Sequence, residues 1–174
     1  VIKPRVSLVA AAILLVAAGA HAQQADPPRT GRPTLSAPRI GGEVVAGAYA
    51  GFLGFYVGRF AGERLSDLVR LDDEVGARRG TVMTLGYAGA AFATAGAVYG
   101  IGSLGDQSGE YGAALLGTGV GFVAAVGVNA VLFPRASRTS GSYDASRRLM
   151  DAIEILLPAI GSTIAFNSTR RYSR

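Results

Sequence analysis

The residues that could do chemistry in this chain are few, and each sits in a context that argues against catalysis. Asp72, Asp73 and Glu74 form a run of carboxylates that could hold a hard cation through oxygen. Arg64, Arg70, Arg78 and Arg79 surround them, which marks a solvated charge run. Asp151 and Glu154 lie at i, i+3 near an expected helix start, where acids complement the helix dipole. Gly100-Ile101-Gly102-Ser103-Leu104-Gly105 fits the G-x-G-x-x-G pattern of a dinucleotide loop. That loop must follow a strand and open a helix, with an acid about 20 residues on. Here it closes an apolar helix-like stretch, and residues 111–134 hold no acid. The only histidine is His21, and there is no cysteine. Beyond residue 22 the commonest general base, the thiol nucleophile and the best zinc ligands are therefore missing. The expectation is a protein that is not an enzyme, with no catalytic, cofactor-binding or metal-binding residues.

Packing is a different matter. Gly47, Gly51, Gly54, Gly58 and Gly62 are spaced by four, three, four and four, which places them on one face of an α-helix. Glycine in a helix interior costs about 1 kcal/mol relative to alanine in water. Five in one stripe imply a use, and close backbone approach between membrane helices is the usual one. Val45, Tyr49, Phe52, Tyr56 and Phe60 occupy the opposite face, a bulky surface suited to lipid. Arg59 falls within a turn of the expected helix end, where it can snorkel to water and pair with Glu63.

Elements to carry this pattern can be drawn along the chain. Residues 1–22 read as a secretory signal: Lys3 and Arg5, then the apolar run Val6 to Ala20, then the small-x-small site Ala20-His21-Ala22. Removing them would leave fifteen arginines against twelve acids, a net charge of about +3. That excess is modest and not interleaved with aromatics, so nucleic acid is not an expected partner. Residues 23–41 carry Pro27, Pro28, Pro33 and Pro38 and read as a flexible leader. A membrane domain follows over 42–134, with helices at 44–62, 81–105 and 111–134. The last two hold no charged residue and exceed the roughly 20 residues that span a bilayer. Gly86, Gly89, Gly96 and Gly100 continue the small-residue spacing in the second helix, and Gly117 and Gly121 do so in the third. Residues 63–80 suggest a short surface helix ending at Gly76 or Gly80. Residues 135–174 hold a basic loop, a short fourth helix near 149–167 interrupted by Pro158, and a tail. That fourth element could be a span, a re-entrant segment or an interfacial helix.

Arginine placement suggests an orientation. Arg64, Arg70, Arg78 and Arg79 lie in one connection, and Arg135, Arg138, Arg147 and Arg148 in another. The intervening 103–110 connection holds only Asp106 and Glu110. Three spans with the arginine loops in the cytoplasm satisfy the positive-inside rule, which applies to an inner membrane.

At Gly47, Gly51, Gly54, Gly58 and Gly62, and again through 86–125, the chain resembles bacterial glycine-zipper envelope proteins, such as the glycine-zipper two-helix domain of 17 kDa surface antigens. The resemblance implies a non-enzymatic, self-associating envelope protein. The expected fold is all-α, a membrane bundle of three to four glycine-zipper helices after a signal peptide. The expected partners are the lipid bilayer and further copies of the chain. A small oligomeric channel or transporter, with Thr94, Thr118 and Asn129 along a polar path, is the alternative. An outer-membrane β-barrel is a third, disfavoured because the apolar segments do not alternate.

Overall fold

The computed structural model describes residues 35–71, 76–105, 107–133 and 142–172. The expected signal segment and most of the leader lie outside the described residues, as do Asp72, Asp73 and Glu74. Among the described residues the fold has four long helices: α1 (Ala37–Val69), α2 (Ala77–Gly102), α3 (Tyr111–Leu132) and α4 (Ser142–Ser168). The only strands among the described residues are β1 (Gln107–Ser108) and β2 (Arg171–Tyr172), which pair antiparallel with Gln107 opposite Tyr172. The chain is all-α, and the β-barrel reading is overturned.

Each of the four helices is long and apolar enough to cross a membrane. The shortest, α3, has 22 residues, or about 33 Å, against a hydrocarbon core of about 30 Å.

α1 and α4 are longer than the apolar patterns suggest, whereas α2 starts and ends a few residues earlier and α3 stops two residues short. α1 begins after Ser36 with Pro38 in its first turn, where a missing N–H is harmless. The leader therefore gives way to helix before residue 41. The charged stretch after Gly62 does not form a separate surface helix. It continues α1 to Val69, and its exposed Leu65 and Leu68 face outward while Ser66 stays on the buried side. Arg70 ends the helix in the left-handed region at φ 54°, and Gly76, at φ 67°, starts α2. Pro158 does not interrupt α4, which runs unbroken through it. Proline is tolerated where close packing against a neighbour holds the helix.

Two antiparallel hairpins result. In the first, Gly47 lies against Val98 and Gly62 against Val82. In the second, Gly117 lies against Gly161 and Gly121 against Pro158. The hairpins meet through α1 with α4 and through α2 with both α3 and α4. The β1–β2 pairing brings the end of the described chain to the α2–α3 connection, so α4 returns to the side on which α1 starts. This settles the fourth element as a full-length helix of the bundle.

The distribution of side chains is inverted relative to a water-soluble domain. The buried apolar residues are mostly small: Ala90, Ala95, Ala114, Ala125 and Ala159 beside Val82, Val98 and Phe166. Glu43, Thr94, Thr118, Asn129, Ser162, Thr163 and Arg170 are buried with them. Large apolar residues line the outside, and Val45, Tyr49, Phe52, Tyr56 and Phe60 are all exposed, as the sequence pattern requires. Leu116, Val120, Val123 and Val131 of α3 are more than two-thirds exposed, at 75%, 69%, 74% and 77%. Soluble proteins rarely present contiguous apolar surface on that scale. The architecture is that of a membrane protein.

Candidate functional site

The α1–α2 seam is built from backbone. A Cβ added to Gly58 would stand 3.1 Å from the Gly86 Cα and 2.8 Å from the Leu85 carbonyl carbon. One on Gly62 would stand 2.7 Å from the Val82 Cα. Gly54 and Gly89 are reciprocal: a Cβ on either would strike the other's carbonyl oxygen. Gly51 leaves room for the Thr94 hydroxyl, and Gly47 for Val98. Gly86 differs, because it receives the Phe55 ring and the Arg59 stem rather than backbone. In the second hairpin, Gly117 abuts the backbone of Gly161, and Gly121 that of Leu157 and Pro158.

Nine of the eleven glycines singled out in the sequence thus sit in contacts that a methyl group would fill. Gly96 and Gly100 do not. They are exposed, and among the described residues no atom of another element comes within 4 Å of where their Cβ would lie, because α2 turns this face away from α1 and α4. Gly161 was missed, lying in a segment whose glycine spacing does not repeat. Gly102 and Gly109 were also missed as packing residues. Both leave space for the Phe166 ring. The fingerprint-like run that includes Gly102 is the end of α2, without a preceding strand.

A polar network closes one end of the bundle. Glu43, one turn before Gly47 on the same ridge, is fully buried. It is ion-paired with Arg170, whose side chain is 1% exposed. Asn167 donates to the other Glu43 oxygen at 2.6 Å, and the Arg39 guanidinium lies 3.7 Å from the oxygen that Arg170 holds. Arg39 also donates to the Leu104 carbonyl at 2.9 Å and to that of Gly102. Arg170 stacks 5.3 Å from the Phe166 ring centre. The network joins the start of α1, the end of α2 and the end of α4. Its one sequence signal was the carboxylate at position 43, in step with Gly47 and Gly51 and so facing other helices. Such a buried charge requires a counter-charge.

The opposite end carries surface charge. Arg59 and Glu63 are 3.9 Å apart, as expected, and Arg78 bridges to Asp67 at 2.9 Å across the α1–α2 turn. Between the hairpins a cavity of about 410 Å³ runs from Arg147 and Asp151, near the start of α4, to Thr94 and Gly51 at mid-helix. Glu154 lines it and accepts a hydrogen bond from Asn129 at 3.1 Å. Of the three residues expected along a polar path, Thr94 alone lines this cavity. Thr118 donates to the Ala114 carbonyl of its own helix at 2.9 Å, which satisfies its hydroxyl there.

Comparison with protein-family models, with curated proteins and with solved structures finds no match. The class that fold and site define is an integral membrane bundle of four helices.

Proposed function

We infer that this chain is a non-enzymatic bacterial envelope protein, embedded in the inner membrane, that acts by helix packing and self-assembly. The observation that carries the reading is the division of labour among its glycines. One set makes backbone contacts inside each hairpin, and Gly96 and Gly100 lie open on the outer face of α2. An open pair spaced by four is the short form of the surface that lets membrane helices of separate copies approach closely. Arginine placement supports the cytoplasmic side for the α1–α2 and α3–α4 connections.

The test is the oligomeric state of the full chain in mild detergent, by light scattering during gel filtration. Wild-type protein should elute as an oligomer, and Gly96→Leu with Gly100→Leu should elute as a folded monomer. An oligomer unchanged by both substitutions, or a monomeric wild type, would refute self-assembly through this face. The transporter alternative is favoured by one observation, the cavity that reaches mid-bundle between the hairpins. Solute flux into reconstituted vesicles distinguishes it.

A further inference from the structure

The cavity between the hairpins has a chemistry that packing does not require. At about 410 Å³ it falls within the range of small-molecule sites. Three of its walls are aromatic and come from three different helices: Phe55 of α1, Tyr87 of α2 and Phe122 of α3. Their rings form an edge-to-face chain, with centroids 5.4 Å apart for Phe55 and Tyr87 and 5.8 Å for Tyr87 and Phe122. The fourth wall, from α4, supplies Asp151 and Glu154 together with Arg147. Among the described residues neither carboxylate lies in an ion pair. Arg147 can balance one of them, which leaves one negative charge at the cavity. Outside the cavity lining, Phe55 also faces a cation that is paired with Glu63: the Arg59 guanidinium stands 5.9 Å from its ring centre.

We propose that this cavity is a binding site for a monovalent organic cation with an apolar body, such as a quaternary ammonium. The ammonium lies between Glu154 and the Tyr87 and Phe122 rings, whose quadrupoles attract positive charge, and the apolar body fills the rest of the cavity. An anion would meet the carboxylates. A neutral apolar molecule would fill the rings' side but would separate Glu154 from water without a counter-charge. Asn129 holds Glu154 by one oxygen, which positions the carboxylate and leaves its second oxygen for the ligand.

The experiment compares two molecules of one shape, phenyltrimethylammonium and tert-butylbenzene, binding to the full chain in nanodiscs of zwitterionic lipid. Saturable binding of the cation at least tenfold tighter than that of the neutral isostere is expected. Glu154→Gln should weaken the cation about tenfold and leave the isostere unchanged, and Phe122→Leu should weaken both. Equal binding of the two molecules would show a merely apolar cavity of the kind a lipid chain fills, and would overturn the proposal. So would the absence of saturable binding by the cation. Because the isostere comparison uses wild-type protein, it decides the matter even where a variant fails to fold. It is independent of the oligomer measurement.

Discussion

Glu43 and Arg170, near opposite ends of the described chain, form an ion pair with both side chains shut off from solvent. Such a pair is weak support for stability as a whole, because desolvating two charges offsets their attraction. Losing one partner is a different matter, since it strands a charge among helices. Glu43→Ala or Arg170→Ala should each destabilise the bundle by about 3–5 kcal/mol. The double variant Glu43→Ala with Arg170→Ala should lose less than the sum of those two singles. Thermal unfolding of the four proteins in detergent measures the coupling; additive losses would mean that the pair does not act as a unit.

The β1–β2 pairing has a topological consequence. It puts Arg171 beside Ser108, so the end of α4 and the α2–α3 connection share one side of the membrane. The chain has no native cysteine, so single cysteines report cleanly. In sealed vesicles, Leu104→Cys and Arg171→Cys should react with an impermeant maleimide from the same side, and Arg70→Cys from the other. Labelling of Arg171→Cys together with Arg70→Cys would mean that α4 does not cross.

Arg70 holds the left-handed conformation that ends α1, at φ 54° and ψ 49°. A side chain there costs about 1–2 kcal/mol that glycine avoids. Its guanidinium makes no ion pair among the described residues. Arg70→Gly should therefore raise stability by about 1 kcal/mol, read as an increased melting temperature. A decrease would assign the side chain a role in the turn.

The helical class and the lipid-facing side of α1 were legible in the sequence because both are periodic. Gly47 through Gly62 repeat at helical steps, and the aromatic residues repeat opposite them. Pro158 and the charges after Gly62 misled, because each breaks the apolar pattern without breaking the helix. Neighbours override such local signals: the Gly121 notch receives α4 at Pro158, and Arg78 pairs with Asp67 where α1 overhangs. The Glu43–Arg170 pair could not be read at all, since periodicity shows which face a residue is on and not which distant residue meets it. Gly96 and Gly100 show the same limit from the other direction, being in register on their helix yet facing no partner among the described residues.

The central claim is that glycine is required where helix backbones touch, and the sign of a Gly→Ala change tests it most directly. Gly58→Ala and Gly117→Ala push a methyl group into the opposing backbone, whereas Gly41→Ala and Gly127→Ala open onto empty space. Unfolding of each variant in detergent should show clear destabilisation for the first two, on the order of 1–3 kcal/mol as for overpacking elsewhere. The second two should be neutral or gain up to about 1 kcal/mol from better helix propensity. If all four variants shift alike, or the contact glycines tolerate alanine as well as the open ones, the backbone seams described here do not hold the bundle together.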